Sequence, residues 1–332
     1  MNERQNRFRG CLVAGAAGDA LGYPIEFQRC IRERQQTEYP GKGLISDDTQ
    51  MTIFTAEGLL WWTKQKDSQP ELTQEQAIRR AYMDWYYTQT KTPLADPITS
   101  LRDLPELNNF RAPGVTCLSA MSSKKNCTIQ SPCNDSKGCG GIMRVAPCGL
   151  FAPDMAAACR LGAQAAALTH GHPLGYLSAG IFAAMIWLLV HQPELSPALV
   201  LEQAMTCLDD PCFAACSAQD RALFVRLAQL AQELSAQNLP DTKAIPQLGE
   251  GWVAEEAFAI SVYAFLKYPD DIASVLVCAV NHDGDSDSTG AIAGNLAGAR
   301  LGLSAIPARY TDTLELRDLL IDLADQLEQA AM

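Results

Sequence analysis

Gly290, Gly294 and Gly298 recur at every fourth position near the end of the chain, and so share one face of a helix. Glycine in a helix interior costs about 1 kcal/mol relative to alanine. A helix that carries three on one face is stable only where another backbone comes too close to admit a Cβ. A second small-residue stretch, Gly10, Ala14, Gly15 and Gly18, offers the same close approach near the start. Both segments therefore read as helices in the core. The rest of the chain follows the same period: Leu316, Leu319, Leu320, Leu323 and Leu327 draw an apolar stripe on a terminal helix. The spacing also predicts helices over 51–64, 74–87, 155–168, 175–190, 197–208, 222–234 and 255–266. The run 272–280 fits a helix or a buried strand, because Val275-Leu276-Val277 is too short for periodicity to decide. Hairpin signals are nearly absent, so the expected fold is all-α. The breaks at 29–44, 91–140 and 237–251 leave no self-sufficient half on either side, which predicts one domain over 1–332 with a short polar N-terminal arm, 1–9.

Composition narrows the class of function. A hydrophobic fraction of 48% with 19% charged residues supports a sizeable core. A formal charge of −12 argues against nucleic-acid binding by broad phosphate neutralisation, while leaving room for an anionic ligand in a pocket. The first nine residues are polar and lack the apolar core of an export signal. The longest apolar run, 181–190, is about half a membrane span. The expectation is a cytoplasmic protein with no membrane contact. Twelve cysteines are present, none in a CxxC pair, and they read as reduced, largely buried thiols.

The chemistry lies in two acidic clusters, Ser46-Asp47-Asp48-Thr49 and Asp283-Gly284-Asp285-Ser286-Asp287-Ser288-Thr289-Gly290. Each pairs carboxylates with hydroxyls on turn-forming residues and opens into a helical run. Aspartate and serine oxygens suit magnesium, manganese or calcium, whereas zinc recruits His or Cys. The same residues are the ordinary caps of helix N-termini, so each cluster reads as a ligand set or as a cap. An EF-hand beginning at Asp283 fails, because Ser288 and Gly294 stand where glycine and glutamate are required. A phosphatase-type Asp-x-Asp nucleophile would follow a strand early in an α/β chain, which does not fit here.

Several segments, in order, resemble the ADP-ribosylglycohydrolase family, which includes dinitrogenase reductase-activating glycohydrolase and the ADP-ribosylarginine hydrolases. Gly18-Asp19-Ala20-Leu21-Gly22 with Glu26-Phe27 is similar to its opening motif, and Ser46-Asp47-Asp48-Thr49-Gln50 to its first metal motif. The stretch 136–147, SKGCGGIMRVAP, resembles its glycine-rich signature. Thr169-His170-Gly171-His172-Pro173 and the 284–290 segment resemble two further motifs. The resemblance implies an all-α fold around two divalent cations, Mg2+ or Mn2+. It would make Ser46, Asp47, Asp48, Asp285, Asp287 and Ser288 the ligands, with serine at two positions where threonine is usual. Asp48 and Asp287 would position or deprotonate a water. Glu26 matches a glutamate that closes over the metals in some members, and the loop 29–43 after it would act as a lid.

The implied reaction is hydrolysis of the N-glycosidic bond between ADP-ribose and arginine, through a transition state with oxocarbenium character. Gly138, Gly140 and Gly141 would offer backbone N–H groups to the diphosphate. Arg144 reads equally as a phosphate contact or a structural ion pair, and His170 and His172 would bound the ribose-phosphate pocket. The second histidine is what points to arginine; other linkages, serine or O-acyl, are the alternative. The partner is an ADP-ribosylated protein. An antagonist that also binds an ADP-ribosyltransferase toxin is a further alternative.

Overall fold

The computed structural model describes residues 2–28, 35–92, 96–123 and 125–331. Fourteen α-helices occur among them, with no strand and two isolated bridges, Gly43 with Leu314 and Gly138 with Val253. In order they are α1 (Glu3–Gly22), α2 (Asp47–Gln65), α3 (Gln74–Thr90), α4 (Val115–Ser122), α5 (Ala146–Phe151), α6 (Met155–Ala167) and α7 (Pro173–His191). Then follow α8 (Pro197–Met205), α9 (Ala218–Ser235), α10 (Asp241–Ala244), α11 (Ala254–Lys267), α12 (Ile272–Val280), α13 (Ser286–Leu301) and α14 (Arg317–Ala330).

The two glycine faces meet each other. A Cβ on Gly298 would lie 2.0 Å from the Gly10 carbonyl oxygen, one on Gly294 2.1 Å from that of Ala14, and one on Gly18 2.0 Å from that of Gly290. At the far end a Cβ on Gly22 would meet the Ser286 carbonyl at 2.2 Å. So α1 and α13 run antiparallel with their backbones in contact along four turns. Asn295 Nδ2 donates to the Cys11 carbonyl at 2.8 Å and locks the register. This pairing places the N-terminal end of α13, with the second acidic cluster, beside the C-terminal end of α1.

Three helices, α1, α7 and α13, are buried almost all round, as their lack of a polar stripe requires. The apolar helix α7 has 89% of its length inside the protein and is a core helix. By contrast α14 buries only one face, through Leu320, Leu323 and Leu327.

Several expectations change. Residues 3–9 are no free arm: they form the first turns of α1, capped by the Asn2 side chain on the Gln5 N–H, with Phe8 buried and Arg9 paired to Asp325 of α14 at 2.6 Å. The apolar run 272–280 is helix, because Asp271 caps it and both flanks pack on helices. The break 91–140 holds α4. Of the expected lid, 29–34 lie outside the described residues, and the remainder is tied down. Gln36 N–H donates to Asn281 Oδ1 at 2.7 Å, and Tyr39 OH to the Tyr310 carbonyl at 3.0 Å. Nor are all the thiols free: Cys127 and Cys133 are joined as a disulfide, with Cα atoms 5.3 Å apart.

Replacing Gly294 by Ala tests the α1–α13 contact. At an unconstrained helix site this change stabilises by about 1 kcal/mol. Here the methyl meets backbone that cannot rotate away, so a loss of about 1–3 kcal/mol is expected in urea unfolding. A stabilised variant would show that the helices are free to separate.

Candidate metal centre

The first acidic cluster caps α2. Ser46 is the N-cap residue: its Oγ accepts from the Asp48 N–H and donates to Asp48 Oδ2, each at 3.2 Å. Asp19, fully buried on α1, holds the turn from below. Its carboxylate accepts from the Ser46 N–H at 3.0 Å, the Thr49 N–H at 3.1 Å and the Thr49 hydroxyl. Asp47 is fixed from outside by the Gly114 N–H, 3.1 Å from Oδ2, and its own N–H donates to the Arg111 carbonyl at 3.0 Å.

The second cluster caps α13 in the same manner. Asp285 is the N-cap residue, and its Oδ1 accepts from the Ser288 N–H at 3.3 Å. The Asp285 N–H donates to the Glu250 carbonyl at 2.9 Å, and the Cys139 thiol lies 2.5 Å from Asp285 Oδ2. Both readings of the clusters therefore hold at once: caps and a converging carboxylate group.

Converge they do. The two clusters act on each other's charge: Asp285 raises Asp48, and Asp48 raises Asp287. Carboxyl oxygens of Glu26, Asp285 and Asp287 lie within 4.8 Å of one another. Asp47, Asp48, Asp285 and Asp287 are each at most 5% exposed. Burial first, and then the neighbouring carboxylates, raises Asp48 and Asp287 well above the ordinary carboxylate range and Asp47 to about 8. Glu26 rises to about 8 for the same reasons, led by burial and Asp285.

A divalent cation fits these residues. Carboxyl oxygens of Asp287, Glu26 and Asp285 gathered within 4.8 Å need either protons or a positive charge between them. Asp48 Oδ1 and Glu26 Oε2 are buried with no hydrogen-bond partner among the described residues. No described arginine or lysine forms an ion pair with any of the four aspartates. The donors are carboxylate and hydroxyl oxygens, the set of a hard cation.

The residues expected to hold substrate divide. Gly138, Gly140 and Gly141 form a tight turn over His170: a Cβ on Gly140 would meet His170 Cε1 at 3.0 Å, and one on Gly138 would meet Nε2 at 3.3 Å. Two amides of this turn are already used, Gly138 N–H by Ser136 Oγ and Cys139 N–H by the Trp252 carbonyl. His170 is buried, and that burial pushes its pKa down to about 3, so the ring is neutral. Arg144 is engaged inside the frame, which is the structural one of its two readings. It is fully buried, with its guanidinium carbon 4.3 Å from the centroid of the Tyr82 ring, and it donates to Thr169 Oγ1 at 2.6 Å and the Ala165 carbonyl at 3.2 Å. His172 is the N-cap of α7, its Nδ1 accepting from the Leu174 N–H at 3.1 Å. Both side chains are committed to holding the frame.

Three neighbours of the cleft carried no role in the sequence reading: Asp19, Cys139 and Trp252. Asp19 had a visible signal, a lone carboxylate in a glycine- and alanine-rich helix. Cys139 and Trp252 had none, since each reaches the cleft through a tertiary contact.

An all-helical frame built on a backbone-to-backbone helix pair carries at one end a buried group of carboxylate and hydroxyl oxygens with the donor chemistry for a hard cation. The chain belongs to the ADP-ribosylglycohydrolase family, whose pattern matches residues 1–332. It is similar to ADP-ribosylhydrolase ARH3 of Homo sapiens, 25% identical over 353 residues that cover 93% of this chain and 89% of that protein. ARH3 of Bos taurus matches to the same extent, 25% over 352 residues. An uncharacterized protein of Archaeoglobus fulgidus is 25% identical across 99% of this chain and 98% of its own length. Among solved structures, an ADP-ribosylglycohydrolase-related protein complex shares the fold, with a TM-score of 0.71, 23% identity and full coverage of both chains.

Proposed function

We propose that this chain is a divalent-cation-dependent hydrolase that releases ADP-ribose from a modified protein side chain by cleavage at C1″ of the ribose. The observation that carries this reading is the meeting of two distant carboxylate clusters in one buried group with unpartnered oxygens. Asp47, Asp48, Asp285 and Asp287, with the Ser46 and Ser288 hydroxyls, are the ligands for two cations, magnesium or manganese. The bound ions supply positive charge that holds the ribose diol and lowers the pKa of a water.

The protein's own contribution is orientation. Asp47 is pinned by the Gly114 N–H, and Asp285 by Ser288 and Cys139, so these two carboxylates have fixed directions. Asp48 retains a free buried oxygen, Oδ1, and is the acceptor for the proton of the attacking water. Glu26 sits over Asp285 and Asp287 and occupies space that a substrate would take.

The arginine expectation rested on His172, and His172 caps a helix. The proposal is therefore for cleavage at C1″, with arginine- and serine-linked ADP-ribose as the two acceptors to compare. The experiment incubates the protein with each modified substrate in magnesium or in chelator. Release of ADP-ribose in magnesium, abolished by chelator, is the expected result. Release that continues in chelator, or in an Asp47→Ala/Asp287→Ala variant, would overturn the metal reading.

A further inference from the structure

Seven large apolar side chains stand exposed among the described residues, and five of them lie within two residues of the carboxylate clusters or of residues bonded to them. Phe27 (73% exposed) follows Glu26 directly. Val115 (81%) follows Gly114, whose N–H binds Asp47. Phe110 (69%) precedes Arg111, whose carbonyl accepts from Asp47. Trp252 accepts through its own carbonyl from Cys139, the residue against Asp285, and its ring stacks on Phe27 with centroids 6.0 Å apart. Leu44 lies two residues before Ser46. The other two, Leu199 and Leu223, are on α8 and α9. Exposed apolar side chains are ordinary when scattered singly; gathered around one opening they mark an interaction surface.

We infer that these side chains form an apolar lip that docks the polypeptide carrying the ADP-ribose, a flexible segment with apolar residues next to the modified one. The inference rests on the hydrolase reading above. The argument for this occupant is depth and continuity. The four aspartates are at most 5% exposed, so the scissile bond lies beneath the surface and the acceptor's main chain must rest on whatever surrounds the opening. Three separate segments supply apolar side chains beside the carboxylate group: 27 follows Glu26, 110–115 is hydrogen-bonded to Asp47, and 252 is bonded to Cys139, whose thiol lies against Asp285. One aromatic face is enough for a nucleobase. A lip contributed by several segments suits side chains on both sides of a modified residue. The net charge of −12 adds attraction where that segment is basic.

The test separates acceptor from nucleotide. Phe110→Ser and Val115→Ser are exposed changes outside the carboxylate group, and folding of both is checked by melting. Kinetics are measured on two substrates, an ADP-ribosylated peptide with apolar flanking residues and the ADP-ribosylated free amino acid of the same linkage. The expected result is a rise in KM of about ten-fold per variant for the peptide, with both kcat and KM for the free amino acid unchanged within two-fold. Equal losses on both substrates would assign the lip to the nucleotide and overturn the inference. So would unchanged kinetics on the peptide. Peptide binding is read in parallel by fluorescence anisotropy, with labelled modified peptide and no turnover required. If wild type hydrolyses neither substrate, the hydrolase reading fails on its own. The lip then stands if modified peptide binds and the variants weaken it about ten-fold, and falls if they do not.

Discussion

Asp287→Asn should unfold less readily than the parent protein in the absence of cation, while releasing ADP-ribose about a thousand-fold more slowly. The two effects have one cause. Asp287 is buried against Asp48, Asp285 and Glu26, and its ionised form is opposed first by burial and then by those carboxylates. An asparagine keeps the shape, removes one negative charge and can donate to a neighbouring carboxyl. Removing a like charge from a buried group stabilises. The same change removes a cation ligand, and a thousand-fold in rate corresponds to about 4 kcal/mol of lost transition-state stabilisation. A functional site that is strained in the empty protein predicts this opposition of stability and activity. Unfolding in urea under chelator and release assays in magnesium measure the pair. A variant that loses stability and activity together would mean that Asp287 is a structural residue.

Cation binding and pH should act on stability in a linked way. Asp47 and Glu26 titrate near pH 8 in the folded protein and Asp19 near 6, all above the unfolded values of about 4. Between about pH 4 and 8 the folded state therefore holds more protons than the unfolded one. Stability of the metal-free protein falls as pH rises through that window. A cation displaces those protons, so its affinity rises over the same range. At a hundred times its dissociation constant it adds about 2.7 kcal/mol, or roughly 4 °C in melting temperature for a chain of this size. The melting shift on adding magnesium should be small near pH 5 and large near pH 8.5. An equal shift at both would place the cation elsewhere.

The helical class was legible because period and glycine spacing are local properties. The spacing of Gly290, Gly294 and Gly298 also announced a close contact, although the partner register with Gly10, Ala14 and Gly18 needed the folded chain. Helix α4 was hidden in a stretch rich in Pro, Asn, Ser and Cys, where tertiary packing overrides weak propensity. The acidic clusters were readable by residue type, and the capping residues among them, Ser46 and Asp285, belong to the same group of buried oxygens as the expected ligands. Arg144 and His172 were ambiguous in the sequence for a common reason. A polar side chain in a motif looks the same whether it faces a cleft or satisfies the backbone behind it. The Arg144 guanidinium lies over Tyr82, from helix α3, a neighbour some sixty residues away in sequence. Asp19 holds the first cluster in place from α1 and was passed over because a motif match assigned it no partner.

The pairing of α1 with α13 also orders events in the life of the chain. Cys11 and Asn295, which bond across it, are separated by 284 positions. At ribosomal rates of about 5–20 residues per second, the first helix waits roughly 15–60 s for its partner to emerge. During that interval its glycine face has nothing to close against, and the carboxylates on α2 stand without those of α13. The carboxylate group is thus completed only once α13 has emerged, and a nascent or truncated chain lacking α13 holds only its Asp47–Asp48 half.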